Sequence, residues 1–281
     1  MANALKSVEG LVRFVFSKNG WDEDDDDVFF YRGHSRKSYE LKPSVLRTDN
    51  LKKNEDVMFH EMIMNNPSAF SDDGTTLEKL VRMQHFSLPT RLLDITENPL
   101  VALYFACKSH NGLNGSSLED GFLITLKIKK EYIKLFNSDT VSCLANLAPV
   151  ENSIKERLCD KNIHDSEFRD IRYHIHRLVR EEKLDFRNEI NKESIISNIL
   201  CVRSKMNNDR IRIQAGAFLL FGLNAELKIH KNTSPIVIKR TTIKGGDKEK
   251  ILKELASLNI TEKTLFPDID STARHIAESY K

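Results

Sequence analysis

Three short stretches carry side chains whose types and spacing suit chemistry. The first is Phe30-Tyr31-Arg32-Gly33-His34-Ser35, an arginine and a glycine at the end of an apolar run. A guanidinium at a strand end suits a bidentate contact to phosphate or carboxylate, and the glycine allows close backbone approach. Pairing of Arg32 with carbonyls or an internal acid is an equally open reading, because buried charges are paired. The second stretch is Gln84-His85-Phe86-Ser87-Leu88-Pro89-Thr90-Arg91-Leu92-Leu93-Asp94-Ile95-Thr96-Glu97-Asn98-Pro99. It sets His85, Thr90, Arg91, Asp94 and Thr96 between two apolar helices, where sites are commonly built. Arg91 paired with Asp94, and His85 as a hydrogen-bonded structural histidine, are the plainer alternatives. The third is Arg210-Ile211-Arg212-Ile213-Gln214-Ala215-Gly216-Ala217-Phe218, where Gln214 places an amide in an apolar strand. A buried amide needs a partner, either a ligand hydroxyl or backbone.

The elements that must position these residues follow from periodicity. Leu5, Val8, Val12, Val15 and Phe16 recur at helical spacing. The acids at 22–27 read as a solvated loop, followed by a short strand over Val28–Tyr31. Helices are expected over Glu55–Met64, with Val57, Met58 and Met62 on one side, and after Thr75-Thr76, with Leu77, Leu80 and Val81 buried. Residues 87–98 are turn-rich. Asn98-Pro99 opens a helix to about Lys108 that is apolar nearly all round, and so central. His110–Asp120 is a loop and Gly121–Ile128 a strand. Residues 129–205 are polar and mostly helical, which reads as a helical insertion. β character returns over Ile211–Gly222 and Ser234–Thr242, Lys248–Leu258 is a helix, and Asp270-Ser271-Thr272 caps a last one.

Composition bounds the rest. The chain has 281 residues, 40% hydrophobic and 30% charged, with a net charge of +2. That excludes a disordered chain, and 11 Gly with 7 Pro excludes a collagen-like one. No apolar run approaches the roughly 20 residues that span a bilayer, and the N-terminal charges Lys6, Glu9 and Arg13 interrupt a signal peptide, so a cytoplasmic protein is expected. The four cysteines have no metal-ligand spacing, no metal site is expected, and buried free thiols are the expected state. Neither a Walker A loop nor a Gly-x-Ser-x-Gly elbow occurs.

Taken together, Tyr31-Arg32-Gly33-His34, the stretch from Gln84 through Leu100-Val101-Ala102-Leu103-Tyr104-Phe105-Ala106, and Gln214–Phe218 resemble the FRG domain. Leu265-Phe266-Pro267-Asp268-Ile269-Asp270 resembles that family's tail. The FRG family is similar to distant members of the ADP-ribosyltransferase fold, with relatives in toxin and phage-defence settings. The resemblance implies an α+β fold with a split β-sheet core, surrounding helices and the 129–205 insertion, in one domain over 1–281. It implies NAD as co-substrate, bound by Tyr31, Arg32, Gly33, His34, His85, Thr90, Arg91, Thr96 and Tyr104. Tyr31, Phe86 or Tyr104 would stack the nicotinamide. Arg32 would orient NAD, and Thr90 or Thr96 would support the pocket. Gln214 falls where a catalytic glutamate is expected. Glutamine can bond a ribose hydroxyl but cannot act as a base, so either Asp94 or Glu97 supplies the acid, or the acceptor is nucleophilic enough without one, or catalysis is lost.

The implied activity is transfer of ADP-ribose to RNA (mRNA), or to protein, by a toxin-like effector that an antitoxin protein restrains. The lean to RNA rests on basic residues at Arg36-Lys37, Lys127–Lys130, Arg169/Arg172/Arg177/Arg180 and Arg203–Arg212. The alternatives are a catalytically silent nucleotide- or partner-binding module and a ribonuclease toxin using His85 with a carboxylate.

Overall fold

Seven apolar, β-branched segments pair into one sheet, and the helices between them cover its faces. The computed structural model describes residues 4–17, 26–108, 119–187, 190–205, 209–227 and 235–268, with 273, 277 and 280. In chain order the elements are α1 (Val8–Phe16), β1 (Asp27–His34), α2 (Asp49–Lys53), α3 (Glu55–Asn65), α4 (Thr76–His85), β2 (Leu92–Thr96), α5 (Pro99–Cys107), β3 (Gly121–Lys129), β4 (Ile133–Leu135), α6 (Asp139–Ala145), α7 (Asn152–Cys159), α8 (Asp165–Glu182), α9 (Lys192–Ser197), β5 (Ile199–Arg203), α10 (Asp209–Ile213), β6 (Gly216–Phe221), β7 (Ile236–Ile243), α11 (Lys248–Ser257) and α12 (Glu262–Leu265). No helix among the described residues is long and apolar enough to cross a membrane.

The strand order is β4-β5-β6-β2-β1-β3-β7, antiparallel except for the β4/β5 pair. The expected split lies within this one sheet. β1 and β3 pair from Asp27↔Lys129 to His34↔Phe122, and β2 and β6 from Leu92↔Leu220 to Thr96↔Gly216. Between the halves, β1 and β2 share only Tyr31↔Thr96. Strand residues point alternately to the two faces. One face carries Phe30, Leu93, Ile95, Ile124, Leu126, Leu219 and Phe221 in a common core. The other is divided. Under β1, β3 and β7, Tyr31, Leu123 and Ile243 pack on Leu11, Val101, Leu103 and Ile251 of α1, α5 and α11. Under β2, β5 and β6, Leu92, Val202 and Leu220 pack on Phe59, Leu80, Met83 and Leu144 of α3, α4 and α6. The helix layer therefore parts where the sheet is most weakly laddered.

Local signals set the helices that flank this gap. Thr75 caps α4 in a capping box with Glu78, and Leu77, Leu80 and Met83 form its buried stripe. The Asn98 side chain accepts from the Leu100 N–H at the start of α5, with Pro99 in the first turn. A methyl group at Gly33 would lie 2.0 Å from the Ala102 carbonyl oxygen and 2.4 Å from the Ala106 nitrogen. Only glycine lets α5 lie this close to β1.

Several expectations change. Val12 and Phe16 face solvent, and α1 is held instead by Val8 and Leu11, with Leu5 bridged to Ile243. Asp27 is not a solvated acid: it opens β1 with its carboxylate 2.8 Å from Lys127 Nζ. Val57 is exposed, and α3 buries Glu55 and Phe59. The turn-rich stretch contains strand β2, formed because β6 pairs it at five positions. In segment 129–205, Leu147, Leu158, Ile175 and Val179 share a cluster with Leu223, and β4 and β5 are strands of the common sheet. Residues 209–213 are helical rather than extended, and Gln214 follows them at the turn into β6. Cys107, Cys143 and Cys201 are buried free thiols, and Cys159 is free and half-buried. The capping triplet 270–272 and most of the 110–120 loop lie outside the described residues.

Candidate functional site

A cavity of about 390 Å³ opens at the β1/β2 seam. Its walls are Tyr31–Ser35 of β1 and beyond, Asp94–Thr96 of β2, Gly216–Phe218 of β6, and helix residues including His85, Phe105 and Arg210. Residues from both sheet faces contribute, Arg32 and His34 from the Phe30 side, Tyr31 and Gly33 from the α5 side, so the cavity cuts through the seam.

Arg32 lines the cavity and is held on two sides. Its Nη1 donates to the Asp94 carbonyl oxygen at 2.5 Å and lies 4.0 Å from the Asp94 carboxylate. Its Nε donates to His34 Nε2 at 3.2 Å. That acceptor role leaves the His34 proton on Nδ1 and the imidazole neutral. Burial, then the charges of Arg32, Arg240 and Arg47, pushes the His34 pKa down to about 3. Burial also lowers the Arg32 pKa, opposed by Asp94 and joined by Arg47. The Asp94 side chain is 58% exposed, so its carboxylate stands at the open side. His85 forms part of the far wall. Burial and the Arg210 charge lower its pKa, and its buried Nδ1 has no hydrogen-bond partner among the described residues.

The structure brings Tyr31, Arg32, Gly33, His34, His85, Asp94, Thr96 and Gln214 to this one cavity. Thr96 Oγ1 donates to the Gln214 carbonyl at 2.5 Å and accepts from the Asn98 N–H, which ties the β2 end to the α10–β6 turn. Gln214 Nε2 donates to the Leu265 carbonyl at 3.0 Å, so its amide nitrogen is held by the C-terminal segment.

Five expected site residues stand elsewhere. Thr90 is buried behind the wall, donating to the Gln84 side chain and accepting from the Leu92 N–H at 3.2 Å. Arg91 points away and does not pair with Asp94. Its Nε donates to Glu55 Oε1 at 2.8 Å, its Nη2 to Glu55 Oε2 and its Nη1 to the Phe221 carbonyl. Lys155 Nζ joins the same carboxylate at 2.9 Å. Burial alone would raise the Glu55 pKa, but the two cations hold it below the usual range. Glu97 lies outside the cavity and pairs with Arg203 at 2.8 Å. Tyr104 is buried against α1 and α11, with Phe105 from the same helix lining the cavity in its place. Phe86 also lies outside it.

Arg47 and Tyr39 are wall residues that sequence reasoning missed. Neither carries a periodic or motif signal: Arg47 follows the short helical turn Ser44–Leu46, and Tyr39 meets His34 edge-on at 6.0 Å. Arg210, read earlier within a basic cluster, also reaches the cavity, its guanidinium 4.8 Å from the Phe266 ring centroid. The charged wall residues are thus Arg32, Arg47 and Arg210 with Asp94, an excess of cations that favours an anionic ligand.

The FRG domain family model matches residues 27–114, from the start of β1 past the end of α5. The matched stretch supplies Arg32, His85 and Asp94. Gln214 lies outside the matched residues. No curated protein and no solved structure matches the chain.

Proposed function

We propose that this protein is an NAD-dependent ADP-ribosyltransferase, acting in the cytoplasm as a toxin-like effector that transfers ADP-ribose to RNA and is restrained by an antitoxin protein. The observation that carries this reading is the cavity at the sheet seam, with the Arg32 guanidinium held in its wall near the Asp94 carboxylate. Its volume falls in the range of small-molecule sites. Three guanidiniums suit the paired phosphates of a dinucleotide, since arginine binds phosphate oxygens in a planar fork. Tyr31 and Phe105 offer apolar faces to a nicotinamide ring.

Breaking the nicotinamide–ribose bond builds positive charge on the sugar. A carboxylate already fixed nearby stabilises that charge without reorganising. Asp94 is the carboxylate that lines the cavity among the described residues, and it takes this role in place of the missing glutamate. Arg32 binds and orients, and the neutral His34 holds Arg32 in place. The test is incubation of the purified protein with labelled NAD and either total RNA or total protein, following nicotinamide release and label transfer. Transfer that Arg32→Ala abolishes supports the reading, and a folded protein that releases no nicotinamide refutes it.

A second reading, a nucleotide-binding module without turnover, is favoured by one observation. The Gln214 amide nitrogen is tied to the Leu265 backbone, and glutamine cannot act as a base. NAD binding without nicotinamide release would select it.

A further inference from the structure

His85 is a shared wall. On its far side from the seam lies a second cleft of about 180 Å³, whose lining includes His85, Val81 and Ile211 of the first cavity together with Phe86, Phe136, Arg82 and Lys205. Phe86 is 58% exposed, and its ring meets His85 edge-on at 5.0 Å. Phe136 lies under the Lys205 ammonium, 5.0 Å from Nζ to the ring centroid.

The charges of this cleft answer one another. Arg82 donates to both oxygens of Asp73, at 2.6 and 2.8 Å. Lys205 Nζ lies 2.8 Å from Glu78 Oε1. Among the described residues, a phosphate or a charged side chain would find no unanswered charge there. A neutral planar ring would find aromatic surface to stack on and paired donors and acceptors at its edge.

Building on the transferase reading, we infer that this cleft is the acceptor subsite and that it takes an unpaired nucleobase of single-stranded RNA. Unstacked bases are recognised in this way, by aromatic stacking with hydrogen bonds to their edges. From the cleft the base presents a ring or exocyclic nitrogen past His85 toward the first cavity. That nitrogen bonds to C1′ of the ribose as the C1′–nicotinamide bond breaks. Nicotinamide leaves neutral with the bonding electron pair. The proton released by the acceptor nitrogen passes to the neutral His85 imidazole and then to water.

The experiment has two arms on the full chain. In the first, a short fluorescein-labelled single-stranded RNA of mixed sequence is titrated without NAD. Phe86→Ala, an exposed position, and Phe136→Leu, which keeps apolar volume, are each expected to weaken its binding about ten-fold. In the second, NAD binding is measured on the same variants and is expected to stay at the wild-type level. Unaltered RNA binding in both variants overturns the inference, as does a wild-type protein that does not bind the RNA. So does a short unstructured peptide that displaces the RNA and binds through the same two phenylalanines. The arms separate the two claims. RNA binding that depends on Phe86 in a protein without NAD turnover keeps the cleft and removes the transferase. NAD turnover without RNA binding removes the cleft alone.

Discussion

Arg32 Nη1 donates to the Asp94 carbonyl oxygen at 2.5 Å, bridging β1 and β2 near Tyr31↔Thr96, the one position where their backbones pair. The same guanidinium uses Nε on His34. Two donors at a fixed angle are therefore committed before any ligand arrives. Lysine has no such fork and cannot serve both partners. On the proposed transferase reading, Arg32→Lys is expected to keep the fold yet lower kcat/KM for nicotinamide release at least 100-fold, measured beside circular dichroism. An active Arg32→Lys enzyme would show that charge alone suffices.

His34 links this geometry to pH. It is buried, and its pKa falls from 6.5 to about 3 on folding, through burial first and the neighbouring arginines second. The folded state therefore binds fewer protons than the unfolded state between those values, so stability rises with pH across that window. The contribution is fully present above pH 6.5 and is lost as pH falls toward 3. Relative to His34→Gln, which accepts from Arg32 but does not titrate, the wild type should lose about 1.4 kcal/mol more per pH unit below 6.5. Urea denaturation at pH 7, 6 and 5 measures the difference, and parallel curves would refute it.

Glu55 answers two buried cations, Arg91 and Lys155. All three side chains are nearly inaccessible. Glu55→Gln removes the carboxylate that bonds both buried cations, and breaking such an arrangement costs about 3–5 kcal/mol. The expected outcome is a large drop in the urea midpoint, although Glu55 lies outside the seam cavity. A change under 1 kcal/mol would mean that the cations find other partners.

Much of this was legible in the sequence where local rules act. Thr75 with Glu78, and Asn98-Pro99, mark their helices because capping is decided within one turn. The Arg32-Gly33-His34 and His85–Thr96 stretches each carried a polar signal between apolar elements, but only the resemblance to the FRG domain joined them into one site. β2 was hidden, since Asp94 and the nearby Pro89 and Asn98 read as turn chemistry and only pairing with β6 makes the stretch a strand. Arg91 could not be told from Arg32 by type. Both are arginines beside apolar strands, and the difference is Glu55, 36 residues away in sequence. Gln214 read as a strand residue because Ile211 and Ile213 alternate. Ala215, at φ 45°, instead ends α10 and turns the chain into β6.

That turn bears on the missing glutamate. Gln214 Nε2 donates to the Leu265 carbonyl, a bond a carboxylate cannot make. Gln214→Glu would set two acceptors against each other and destabilise the fold by about 1–3 kcal/mol. It should therefore not restore a catalytic acid. Asp94→Asn keeps the side-chain shape and the backbone carbonyl that Arg32 uses, and removes only the charge. If Asp94 supplies the stabilising carboxylate, Asp94→Asn should lower kcat for nicotinamide release about 100-fold or more with little change in NAD affinity, because the charge it answers exists only in the transition state. Gln214→Glu should then show no gain in kcat and a lower thermal midpoint. The opposite pair of results, a faster Gln214→Glu enzyme and an unaffected Asp94→Asn one, would move the catalytic carboxylate to position 214.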